Sequence, residues 1–281
     1  MSLTSLAIRF AAPLPDLEAF DRYLFIGPHP DDIEVGAGAT AAKLAAAGKK
    51  VCFLVCLDGR FGLENAPAGT SPDELALLRM EEARRSARVL GVDDLRFLGL
   101  SDGGLYEEKA LFRAIAAVVG DFGPDVIFAP DPCVSSECHA DHLNVGNAAR
   151  RVACFAPFAE IMEAYGATPA DVKALAYYMT AKPNRYVGTK GFVEKQLSAL
   201  FECHSSQFPA GSPAAKTLSL YLKLRSADMG LRCLKSHAEG FRVLGKIHMH
   251  CLPEAEKQEK LSVKRHSAFP YFFPWIYATS L

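Results

Sequence analysis

Short apolar runs that alternate with helical patterns constrain this chain more than any other feature. Tyr23-Leu24-Phe25-Ile26-Gly27 reads as a buried strand that stops where turn residues begin, the alanine-rich stretch from Val35 to Gly48 as a helix, and Val51 to Leu57 as a second buried strand. Together they make a βαβ unit. A charged amphipathic helix from about Pro72 to Leu90 leads to a short strand at Arg96-Phe97-Leu98. A further helix from about Glu107 to Val119 leads to a strand from Asp125 to Pro130. Ala174 to Tyr178 is a later strand and Glu194 to Glu202 a later helix. With the right-handed crossover rule, this alternation predicts an α/β fold: a Rossmann-like, mostly parallel sheet with helices on both faces. No glycine fingerprint for a dinucleotide accompanies it, and no internal repeat is present.

Two polar segments follow two of these strands. Pro28-His29-Pro30-Asp31-Asp32 leaves the first strand, and His139-Ala140-Asp141-His142 follows the strand that ends at Pro130. In open α/β sheets, loops leaving the C-terminal strand ends converge on a crevice at the topological switch point, so both segments can meet there. If a helix begins near His139, then His139 and His142 share one of its faces while Asp141 points elsewhere. Catalytic cations such as zinc commonly take three N/O ligands and leave a fourth position for water, and two histidines plus one aspartate satisfy that count. Of the adjacent pair Asp31 and Asp32, one carboxylate can ligate while the other takes a proton from water. Either His139 or His142 then remains to stabilise an oxyanion. Taken singly, each segment has a plainer reading, as a helix cap or a solvated face. Arg79 could sit among ordinary helical ion pairs with Glu81, Glu82, Arg84, Arg85 and Arg88, and Asp102 in a plain Ser-Asp-Gly-Gly turn.

The two motifs, His29-Pro30-Asp31-Asp32 and His139-Ala140-Asp141-His142, resemble those of the LmbE-like family of zinc-dependent de-N-acetylases, which includes the N-acetylglucosaminyl-phosphatidylinositol (PIG-L) deacetylases. Further stretches fall in the family's order: Arg79-Met80-Glu81-Glu82-Ala83, Leu90-Gly91, Phe97 to Gly103, His204-Ser205-Ser206-Gln207 and Ala238-Glu239-Gly240-Phe241. The resemblance spans roughly residues 20–245. It implies His29, Asp32 and His142 as ligands of Zn²⁺, with Fe²⁺ open to the same donors, and Asp31 as general base. It implies His139 as oxyanion stabiliser or proton donor, with Asp141 holding the tautomer of His139. Arg79 and Asp102 match positions that line the family's substrate pocket. The implied activity is removal of the N-acetyl group from an N-acetylglucosamine-type sugar or conjugate. A larger conjugate amide, a non-haem iron oxygenase and a non-catalytic sugar-binding protein stand as alternatives.

Composition limits the rest. The chain has 281 residues, half of them hydrophobic, enough for one large domain over residues 1–250. Residues 251–281 form a charged and aromatic extension expected to pack on the body; Pro270 and Pro274 interrupt its aromatic run, which is too short for a transmembrane helix. A net charge of −1 without a long basic run argues against a nucleic-acid partner. The expected partner is a small N-acetylated amino sugar or glycoconjugate, with a homo-oligomer as a further candidate. Eight scattered cysteines, with Cys52 and Cys56 too far apart on one strand to bridge, suit reduced thiols. Met1 to Phe10 carries no signal-peptide pattern, so a cytoplasmic location is expected. Cys133 and Cys138 read as loop thiols, and His248 and His250 as residues of a surface or edge strand.

Overall fold

The structure, a computed structural model, describes residues 3–250 and residue 252. The expected extension over 251–281 therefore lies outside the described residues, apart from Leu252. The strands are β1 (Arg22–Gly27), β2 (Lys50–Leu57), β3 (Asp94–Leu100), β4 (Val126–Pro130), β5 (Ala174–Tyr178), β6 (Arg185–Gly188) and β7 (Ala238–Gly245). The helices are α1 (Leu3–Ala11), α2 (Asp32–Ala46), α3 (Pro72–Leu90), α4 (Glu108–Phe122), α5 (Ala140–Phe155), α6 (Ala159–Ala164), α7 (Val193–Cys203) and α8 (Pro213–Arg232).

All seven strands form one sheet in the order β3-β2-β1-β4-β5-β7-β6. β1 to β5 run parallel, whereas β7 is antiparallel to both β5 and β6. The order reverses between β1 and β4, which pair directly through Tyr23–Val126, Leu24–Ile127 and Phe25–Phe128. The crevice for a ligand is thus expected beyond Gly27 and Pro130.

Successive side chains of a strand point to opposite faces, and each face has its own core. Leu24, Ile26, Cys52, Leu54 and Ile127 pack under α4 and α5, with Leu111, Ile115, Val145 and Val152. Tyr23, Phe25, Phe53 and Phe128 pack on the other face against Ile33, Ala41, Leu90 and Ala199 from α2, α3 and α7. The Phe25 and Phe128 rings stack at 4.3 Å across the β1–β4 seam, fixing the two strands that carry the polar motifs. Helices therefore cover both faces, as the alternation predicts. α3 starts with a capping box, in which Ser71 accepts from the Glu74 amide and Glu74 accepts from the Ser71 amide.

Two parts differ from the sequence reading. β7 ends at Gly245, the residue opposite Ala174 at the start of β5, so beyond it no strand remains to pair with. Residues 246–249 turn instead of continuing as an edge strand, and His248 folds back so that its Nδ1 accepts from the Gly245 amide at 3.2 Å. α2 also begins earlier than expected, at Asp32, and is interrupted by a non-helical Ala37. Among the described residues no helix is long and apolar enough to cross a membrane.

Close approach at Gly36 locks α2 to the sheet. A Cβ there would overlap the ring of Tyr178, which is fully buried and whose hydroxyl donates to Ile26 O at 2.8 Å. Despite alanine's better helix propensity, Gly36→Ala is expected to destabilise the protein by about 1–3 kcal/mol through overpacking. Denaturant unfolding measures this; a stabilised variant would contradict the packing described.

Candidate active site and metal centre

β1 delivers the first motif. After Gly27 the chain turns, with Pro28 O accepting from the Leu57 amide at the end of β2 at 2.8 Å, and enters α2 at Asp32. The Asp32 carboxylate folds back onto His29, its Oδ2 lying 2.9 Å from the His29 amide and 3.1 Å from Nδ1. β4 delivers the second motif through a loop that opens at Asp131. This buried carboxylate accepts from Arg242 of β7 (Nε, 2.9 Å) and from the Thr180 hydroxyl (2.6 Å). The loop closes at His139, the residue before the first turn of α5, and His142 follows within that turn. His139 and His142 share a face as expected, their rings stacked at 4.8 Å and 13°.

The motifs meet. His142 Nε2 lies 3.4 Å from Asp32 Oδ1, and the His29 and His142 ring centroids are 5.5 Å apart. Among the described residues, two groups place ligand atoms within 4.8 Å of one another: His29, Asp32 and His142, and His29, His139 and Asp141. The first has the surroundings of a metal site. The ring nitrogen of each histidine that faces away from Asp32 is held by another carboxylate: His29 Nε2 by Asp141 at 3.0 Å and His142 Nδ1 by Glu137 at 3.0 Å. Such outer carboxylates set tautomer and ring direction and leave the remaining nitrogen for a cation. In the second group Asp141 is already engaged, accepting from the amides of Gly103 and Gly104, both at 2.8 Å, as well as facing His29. His29, Asp32 and His142 could thus hold a metal ion, and the donor set fits a borderline divalent cation.

The structure pairs Asp141 differently from the sequence expectation. Its Oδ2 faces His29, whereas His139 Nδ1 stands 3.8 Å away, beyond hydrogen-bond range. Asp141 occupies the first turn of α5 and is fully buried against His29 and the Gly103–Gly104 amides, while the His139 side chain is half-exposed. Arg79 and Asp102 are both buried. Arg79 donates to Asp31 Oδ2 and Pro30 O, each at 3.1 Å, and to Gly59 O at 3.0 Å. Asp102 accepts from the Phe61 amide at 3.3 Å and immediately precedes the two glycine amides that hold Asp141. Behind them, His204 Nε2 lies 3.3 Å from Glu34, and Glu82 accepts from Ser206. Glu137 was invisible in the sequence as a site residue. Its position two residues before His139, in a loop otherwise short of carboxylates, is the signal that could have found it.

The charges are strongly perturbed. Burial raises the Asp31 carboxyl to about 6, against the lowering pull of Arg79. Burial disfavours a charged His29, but its bonds to Asp141 and Asp32 prevail and carry it to about 9. The same contest carries His142 to about 11, with Asp32 and Glu137 as its anionic partners. Asp32 is held well below the carboxylate range because His142 and His29 outweigh its burial. Asp141 is held down to about 2, its burial overcome by His29 and the glycine amides. His139 moves the other way: burial and the neighbouring His29 and His142 push it below 6.5.

Comparison with known proteins identifies the family. Residues 24–153, which contain both motifs, match the model of the PIG-L family, GlcNAc-PI de-N-acetylase. The diacetylchitobiose deacetylase of Thermococcus kodakarensis is 31% identical over 261 residues, covering 90% of this chain and 93% of that protein. The chain belongs to the PIG-L/LmbE family. A shorter match, 42% identical over 148 residues, is to the 1D-myo-inositol 2-acetamido-2-deoxy-alpha-D-glucopyranoside deacetylase of Thermomonospora curvata, covering 43% of this chain and 48% of that one. Among solved structures, the N,N'-diacetylchitobiose deacetylase from Pyrococcus horikoshii aligns with a TM-score of 0.77 at 28% identity, covering 90% of this chain and 97% of that one.

One backbone feature of this PIG-L/LmbE chain is strained. Asp31 has φ 138°, a region that L-residues rarely adopt and that is tolerated where surrounding contacts impose it. Those contacts are the Arg79 bond to its carboxylate and the Val35 amide bond to its carbonyl at 3.0 Å. Glycine would relieve the strain, so Asp31→Gly is expected to be about 1 kcal/mol more stable than Asp31→Ala, although both lose the carboxylate. Paired denaturant unfolding tests this; the reverse order would remove strain from the account.

Proposed function

We propose that this chain removes the N-acetyl group from an N-acetylglucosamine-type sugar conjugate, releasing acetate and a free amino sugar. The observation that carries the reading is the meeting of His29, Asp32 and His142 beside a partly buried, strained Asp31 whose carboxyl is raised to about 6. Zn²⁺ is the proposed ion, with Fe²⁺ sharing the same donors, and His29, Asp32 and His142 are its proposed ligands. A divalent cation bound there would acidify a water molecule and polarise an acyl oxygen.

The chain's own residues do the rest. Asp31 is the proposed general base: it takes a proton from the attacking water, and its raised proton affinity suits a group that must also give the proton back. Arg79 holds the Asp31 carboxylate in place through Nη2, and Asp102 orders the Phe61 loop beside it. His139, lowered and hence neutral near pH 7, offers a ring N–H to the developing oxyanion instead of a full charge. That asymmetry favours Asp31 as the carrier of the proton to the leaving amine. Asp141, facing His29, orients that ligand. Diacetylchitobiose is the first substrate to try, because a relative named for acting on it matches along nearly the whole chain.

Acetate release from diacetylchitobiose, N-acetylglucosamine and its inositol-linked form tests the reading. Asp31→Ala is expected to keep metal and lose about 10²–10⁴-fold in turnover, whereas His142→Ala loses the metal itself. Bound metal with no acetate from any of the three would count against deacetylation. Activity requires ionised Asp31, so kcat/KM is expected to fall as pH drops through a limb at or below about 6, a nearby cation only lowering it. An acid limb well above that value would exclude Asp31 as the base.

A further inference from the structure

Glu137 lies in the loop between β4 and α5, and each of its carboxylate oxygens serves a different histidine. Oε2 is 3.0 Å from Nδ1 of His142, and Oε1 accepts from the backbone amide of His139 at 2.8 Å. The residue is itself fixed, its own amide donating to Val134 O at 3.1 Å. With a carboxylate on Nδ1, one His142 proton is held there, and Nε2, facing Asp32, is the nitrogen left for a cation once its own proton departs. His139, half-exposed and with no side-chain bond to Asp141, has its place set by its stacking on His142, its edge contact with the His29 ring and that amide bond.

We propose that Glu137 is a positioning residue for both histidines of the second motif: it presents His142 Nε2 to the metal and pins His139 beside it, so that ligand and oxyanion partner are set by one side chain. The chemistry requires a group with two acceptors. A carboxylate has an oxygen for each N–H, whereas an amide has a single acceptor oxygen and turns an N–H donor toward the other histidine. Alanine removes both contacts. The inference rests on His142 being a metal ligand, as proposed above, and concerns how that ligand is held.

Co²⁺ is a suitable probe, because both its affinity and its visible spectrum report the ligand set without any substrate. Metal-free wild type, Glu137→Ala and Glu137→Gln are titrated with Co²⁺ in competition with a chelator, and metal-free melting is followed alongside. Glu137→Ala is expected to weaken Co²⁺ binding by about 10–100-fold with an altered Co²⁺ spectrum, and to lower metal-free melting as well, because His142 loses a carboxylate partner. Glu137→Gln is expected to fall between it and wild type. At saturating metal, Glu137→Ala should still show reduced kcat with little change in KM, because His139 is no longer pinned. Co²⁺ binding within twofold of wild type in both variants would overturn the role of Glu137 while leaving the metal site intact. A wild type that binds no Co²⁺ would overturn the metal reading itself. Should Glu137→Ala fail to fold, the isosteric Glu137→Gln carries the test alone.

Discussion

The pairing of β1 with β4 is the contact on which the site depends, because it joins two motifs that are far apart in the chain. Three register pairs and the stacked Phe25–Phe128 rings hold the strands side by side at the point where the sheet's order reverses. From that seam the chain leaves β1 through His29 to Asp32, and leaves β4 through a loop anchored by the Asp131–Arg242 ion pair. A ligand site at such a switch point follows from the topology, since the loops on either side turn to opposite faces and leave a crevice between them. By contrast, a cavity of about 380 Å³ at the other end of the sheet, bordered by Arg22, Lys49 and Arg96, offers little chemistry. Those three cations are already engaged: Lys49 with Asp21, Arg96 with Asp94 and Asp121, and Arg22 with the Phe122 and Gly123 carbonyls.

Within the crevice, charge is arranged in layers. Asp32 can remain ionised in so buried a place only while positive charge lies between it and His29 and His142, whether as ring protons or as a shared cation. Protons and a metal ion held there would therefore compete for the same atoms, and metal binding would release protons. The outer carboxylates Asp141 and Glu137 hold the far nitrogens, and Arg79 holds Asp31 at the price of backbone strain. Removing one partner from such a buried set costs more than the bond it makes, because the group left behind is desolvated and unpaired.

Much of the fold was legible because β1, β2, β4 and β5 are continuous apolar runs, as strands buried on both faces must be. Both motifs and their meeting place followed from those strand ends. β7 escaped notice because Glu239 and Arg242 interrupt its apolar pattern, and their partners come from distant segments: the Ala39 and Thr40 amides for one, Asp131 for the other. α8 was hidden for another reason. Leu218, Leu220, Leu222 and Leu224 alternate as in a strand, so on a helix they spread around its surface, leaving Leu220 and Leu224 exposed while Leu222 is buried. The roles of Asp141 and Glu137 depend on which ring nitrogen each reaches. Spacing within a motif cannot encode that when one partner, His29, comes from the other motif.

The most direct test of the central claim is anomalous diffraction from crystals of the metal-loaded protein. One ion bordered by His29 Nδ1, Asp32 and His142 Nε2, with Asp141 and Glu137 still on the opposite nitrogens, is the predicted result. An ion held instead by His29 Nε2, His139 and Asp141 would contradict the assignment of ligands, and with it the roles given to Asp31 and Glu137.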